Sequence, residues 1–145
     1  MADYLIFESR KGNLSCEASV FFDFITDIRN LGQFIPEGSM KNWEATTDSC
    51  SFGVPPLAIV KVRISEKNPF SLVCFSGDAL QKDDFNLKVE INNNENISTE
   101  IKLTLSANLN PVLKIMASGP IEKFLETLIS EMEKFDNWNY TFKES

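Results

Sequence analysis

A chain of 145 residues with 43% apolar content can bury a core without disulfide or metal staples. Its formal charge of −7, from 21 acidic and 14 basic residues, opposes nucleic acid and anionic lipid, which both need a basic footprint. The histidine count of zero removes the usual general base and excludes Ser–His–Asp and Cys–His chemistry.

Twelve Phe against two Tyr and two Trp supply bulk without a polar tip, suited to a core or an apolar cavity wall. Cys16, Cys50 and Cys74 form no CxxC pair and read as buried thiols of a reducing compartment. The start, Met1-Ala2-Asp3-Tyr4, lacks a basic region and a long apolar stretch, which predicts no signal peptide and a cytoplasmic location. No apolar run approaches a membrane span, so no stable membrane association is expected. No metal site and no cofactor are expected either.

Residues 4–15 predict a first strand whose inward face alternation alone leaves ambiguous, with Gly12-Asn13 as a bulge or bend. Ser15 is the expected cap of a helix carrying Val20, Phe21, Phe24, Ile25 and Ile28. Asp27 can cap a second short helix through Leu31 and Phe34, ended by Pro36 and Gly38. Residues 40–47 and 50–54 read as strands around Asp48-Ser49, and Pro55-Pro56 as a loop or edge. Residues 57–66, 70–77, 84–91 and 96–109 alternate as strands, with Asn68-Pro69, Gly77-Asp78 and Asn92-Asn93-Asn94 as turns. Thr99, Ile101, Leu103, Leu105 and Ala107 share one face of the longest of them. Successive strands with short turns make an antiparallel meander.

From Pro111 the period changes to three and four, through Ile115, Ile121, Phe124, Leu125, Leu128, Ile129, Met132 and Phe135. Gly119-Pro120 predicts a kink or a short lead-in helix, or Pro120 begins the main helix. The tail with Trp138, Tyr140 and Phe142 reads as an extended strand or a frayed end. No repeat, linker or boundary is visible, so residues 1–145 read as one domain.

Strand, helix pair, six-strand meander and long last helix together resemble the START-like superfamily. This is the helix-grip fold of polyketide cyclases, lipid-transfer START domains and birch-pollen-allergen-like proteins. The stretch LSCEASVFFDFITDIRNLGQFIP, from Leu14 to Pro36, resembles the family's strand-into-helix passage, and Pro111 to Phe135 its gripped helix. The resemblance implies an α+β chain. It has a curved antiparallel sheet of about seven strands around a long C-terminal helix, with two short helices after the first strand.

It also implies a cavity between the sheet and the last helix, often holding a small hydrophobic molecule. The walls would come from inward strand positions and the near face of the helix: Phe34, Trp43, Phe52, Phe75, Phe85, Leu103, Met116 and Phe124. The competing reading of each is simple core filling. Lys61 and Arg63 would anchor a ligand carboxylate if their face were concave, and would be solvated otherwise. Adjacent Asp83 and Asp84 point to opposite faces of a strand and make no paired site. No catalytic set is carried over. The expected function is non-enzymatic binding of a small hydrophobic or amphipathic ligand. Alternatives are a cyclase- or dehydratase-like enzyme and a protein-interaction module. The sequence leaves the oligomeric state open.

Overall fold

A computed structural model of the chain describes residues 4–34, 41–54, 57–78, 84–94, 98–108, 111–136 and 138. The elements follow the chain as β1 (Tyr4–Glu8), β2 (Gly12–Leu14), α1 (Ala18–Ile25), a 3-10 helix (Ile28–Phe34), β3 (Lys41–Ala45) and β4 (Ser49–Val54). Then come β5 (Leu57–Asn68), β6 (Leu72–Asp78), β7 (Phe85–Asn94), β8 (Ser98–Asn108) and α2 (Pro111–Lys134). The eight strands form one curved antiparallel sheet in the order β1-β8-β7-β6-β5-β4-β3, with β2 paired to β8 beside β1.

The expected first strand is two strands. Ser9, Arg10 and Lys11 stand opposite only Lys102 and Leu103, because Glu8 pairs with Thr104 and Gly12 with Ile101. The Ser9 hydroxyl accepts the Leu103 N–H (2.9 Å) while the Ser9 N–H donates to the Leu103 carbonyl (2.9 Å). This extra residue switches the inward parity from odd at Phe7 to even at Gly12 and Leu14, so one alternation cannot describe both halves.

Glu17, not Ser15, is the cap residue of α1, and its side chain makes no capping bond. Thr99 Oγ1 donates to the Cys16 carbonyl (2.6 Å), which ties that backbone to β8 and delays the helix. Asp27 behaves as expected, accepting the Arg29 N–H at 3.1 Å and its guanidinium at 2.7 Å. Between Asn68 and Leu72 the chain turns through Phe70 at φ 66, a backbone region bulky residues avoid, and its ring meets Phe22 edge-on at 5.6 Å. The expected ends and turns at Pro36-Gly38 and Pro55-Pro56, and the tail residues Tyr140 and Phe142, lie outside the described residues.

Pro120 lies inside α2, which runs unbroken from Pro111 to Lys134, so Pro120 does not begin the helix. Its fixed φ is helical, and the cost is the one backbone bond that its nitrogen would have donated. The second half of α2 buries Leu125, Leu128, Ile129 and Met132 in a core with α1, the 3-10 helix and the inward rows of the sheet. A Cβ on Gly12 would stand 3.0 Å from Ile129 Cγ2, so glycine there lets β2 approach α2 closely.

Arg10, on the bulge between β1 and β2, clamps the same half of α2. Its guanidinium donates to Glu133 (2.8 Å) and Glu126 (3.1 Å), and the Asn13 N–H also donates to Glu133 (3.0 Å). These bonds hold the Glu133 carboxyl below its usual pKa of 4.5, with Arg10 the main cause. Arg29 does the same to Asp27. A depressed carboxylate adds stability that is complete above its unfolded pKa and is lost as pH falls through the folded one. The urea midpoint is therefore expected to be level from neutrality to about pH 5 and to drop below about pH 4.5. Arg10→Met should lower the midpoint slightly at pH 7, since solvent screens the pair, and flatten part of the acid drop. An unchanged acid profile in Arg10→Met would show that the clamp does not contribute.

Candidate functional site on the concave face

Two cross-strand rows pave the inner face of the sheet. One runs Val62, Gly77, Phe85, Ala107 and Leu5; the next runs Ile64, Phe75, Leu87, Leu105 and Phe7. Every member is apolar or glycine, because strand alternation sends the charges to the other face. Covering is uneven along these rows. Toward α1, Val73, Val89, Ile101 and Leu103 are sealed by helices. Toward the start of α2, Leu5, Val62, Phe85 and Leu87 are only half-buried, as are Ile121 and Phe124 on the helix.

The first half of α2 adds apolar surface there. Val112 is 66% exposed and Ile115 82%. Along the same stripe Glu122 and Glu126, seven and eleven residues beyond Ile115, face water, so the outer face changes from apolar to acidic near Gly119.

The eight residues named from the sequence divide by location. Phe34 (1% exposed), Phe75 (2%) and Leu103 (0%) are packed in the core. Phe34 touches the rings of Phe24, Phe135 and Trp138. Phe52 is buried on the inner face of β4, and half-buried Trp43 stacks on it at 5.8 Å and 25°, over Gly32. Phe85 and Phe124 belong to the half-buried set, and the far end of the Phe85 ring stands where a Cβ on Gly77 would be. Met116 falls in the first half of α2, and its side chain lies outside the described residues.

Leu5, Val62, Ile64, Leu87 and Ile121 are half-buried as well and are not among those eight. Val62 and Leu87 are inward by alternation, but alternation reports which face a residue takes, not which end of the strand stays uncovered. Lys61 and Arg63 lie on the outer face, so they do not reach the concave side: their neighbours Val60 and Val62 take the inner one.

Among the described residues, Cys50 is the one group with a shifted pKa on the inner face. Burial pushes its thiol up to about 11, as it does that of Cys16, so both are protonated at neutral pH. Cys74 is also raised by burial, from the outer face between Glu66 and Lys88. No cluster of metal-ligating side chains occurs, and no helix is long and apolar enough to cross a membrane, among the described residues.

No protein-family model matches the sequence, and no curated protein matches it. Solved structures do match in fold. Norcoclaurine synthase from Thalictrum flavum superposes with a TM-score of 0.67 at 10% identity, over 92% of this chain and 86% of that one. The protein XoxI from Bacillus cereus gives 0.65 at 9% identity, over 97% and 100%. The Aha1 dimer from Colwellia psychrerythraea gives 0.60 at 12% identity, over 89% and 96%. The chain has an α+β helix-grip fold, and its likeness to these structures is one of fold alone.

Proposed function

We propose that the concave face and α2 hold a small hydrophobic or amphipathic ligand, and that this chain is a binding protein. The observation that supports this most is the half-buried apolar set Leu5, Val62, Ile64, Phe85 and Leu87 on the inner rows of the sheet, with Ile121 and Phe124 on α2. Apolar surface gains roughly 25 cal/mol per Å² on leaving water, so such a set favours an apolar occupant. Trp43 and Phe52 extend the wall toward β3, and Met116 lies on the helix opposite. Phe34, Phe75 and Leu103 act behind the wall, holding its shape. The like-folded norcoclaurine synthase has been captured, as a point mutant, with a transition-state analogue. That fold therefore receives a small molecule in that protein, which supports the same use here.

The test is titration with the apolar fluorophore 1-anilinonaphthalene-8-sulfonate. Saturable one-to-one binding is expected, weakened several-fold by Leu87→Gln on the inner face. Lys88→Gln, the next residue on the outer face, should leave it unchanged. Equal binding by the two variants, or no saturation, would sink the proposal.

A further inference from the structure

The strand order leaves one edge of the sheet at β3 and the other at β1, which β2 continues beyond the bulge. The β3 edge is blunted. Lys41 and Glu44 are exposed on it, and Asn42 at φ 56 sits where the register with β4 slips between them. Such a bulge bends an edge away from a second chain. The β2 stretch is covered, because the Asn13 N–H donates to Glu133 of α2. From Tyr4 to Phe7, β1 has no such device: no charge, no proline and an unbroken register with β8.

The free side of β1 is ready to pair. The Ser9 N–H donates to the Leu103 carbonyl, so alternation gives β8 the backbone groups of Leu5 and Phe7 as well. Tyr4, Ile6 and Glu8 turn theirs outward, and among the described residues no strand lies beyond them. The Ile6 side chain is 66% exposed on the outer face, in register with Ser106. An open edge centred on an exposed apolar residue is a template for another strand.

β1 is self-complementary when a second copy runs antiparallel to it through Ile6. On the outer face Ile6 then meets Ile6 of the second copy. Each Glu8, held by Lys102 at 3.2 Å, meets a neutral Tyr4 rather than a second carboxylate. On the inner face each Leu5 meets a Phe7, which carries the apolar lining across the seam. A register shifted by two residues sets Ile6 against the Glu8 carboxylate or takes Glu8 past the end of the opposite strand, so the register centred on Ile6 satisfies the most groups.

We infer that β1 is a self-association surface, through which a second copy of this chain adds antiparallel and joins the two sheets into one. The same patch serves both copies, so the contact closes as a dimer and does not propagate. A seam of 5 residues is small beside the about 1,200 Å² of a stable interface, so the dimer is weak and concentration-dependent. It requires no ligand in the concave face.

The test is sedimentation velocity of the full chain, at moderate salt to screen the charge of −7 on each copy. A monomer–dimer equilibrium is expected between about 10 µM and 1 mM. Ile6→Lys and Ile6→Glu each set like charges opposite one another and should weaken it about tenfold or more. Ile6 is exposed, so neither change should unfold the chain. Mixed in equal amounts, the two variants should associate with each other. Ile59→Lys charges a comparably open isoleucine, 59% exposed, on the interior strand β5, and should associate as the wild type does. The inference is overturned if the chain stays monomeric up to about 1 mM, if Ile6→Lys dimerises as the wild type does, or if the Lys and Glu variants fail to associate when mixed. It is overturned as well if Ile115→Lys rather than Ile6→Lys abolishes the dimer, which would put the contact on α2.

Discussion

Phe34→Ala is expected to destabilise the chain by about 3–5 kcal/mol, the largest single effect among the substitutions considered. Phe34 ends the 3-10 helix with its ring at 5.8 Å from Phe24, 5.2 Å from Phe135 and 5.7 Å from Trp138. Those rings belong to α1 and to the chain at and just after the end of α2, so Phe34 joins three parts that no backbone ladder connects. Truncation removes its buried area, leaves a cavity and loses ring contacts worth about 0.5–1.5 kcal/mol each. Urea denaturation should show a lower midpoint with little change in slope, and Phe34→Leu should cost less by filling part of the space. A loss below about 1 kcal/mol would mean that Phe34 faces an open cavity, the alternative reading of this residue.

Gly77→Ala is expected to cost about 1–3 kcal/mol, as overpacking does, although one methyl group is added. The Phe85 ring covers the Gly77 Cα on the inner face, and a Cβ there would overlap it. Phe85 and Gly77 are cross-strand partners on β7 and β6, so the ring must move aside to admit the methyl group. The double variant Gly77→Ala/Phe85→Leu should recover part of the loss, since the smaller side chain tolerates the methyl. Additive effects in that cycle would show that the ring does not rest on the glycine.

How much of this was legible varies from element to element. In β8, Thr99 through Ala107 alternate without interruption, and the structure buries every inward member of that set. The capping role of Asp27 was legible because an Asx side chain bonds backbone two residues on. At Ser9 the pattern failed: one additional residue reverses the faces of everything after it, and only pairing with β8 shows where that residue is inserted. The Arg10 clamp was invisible for a related reason, since it joins residues more than a hundred positions apart.

The sequence alone carries the order of elements, the antiparallel meander and the amphipathic last helix, because periods of two and of three to four are local consequences of backbone geometry. It also determined that the inner face is apolar. Packing in three dimensions sets which apolar residues are sealed. Phe34, Phe75 and Leu103 lie beneath helices, while Phe85, Leu87 and Phe124 stay half-open, a difference set by where α2 stands across the sheet. It likewise puts Lys61 and Arg63 on the outer face, because the direction in which a sheet curves is fixed by what packs on it and not by the alternation of any one strand.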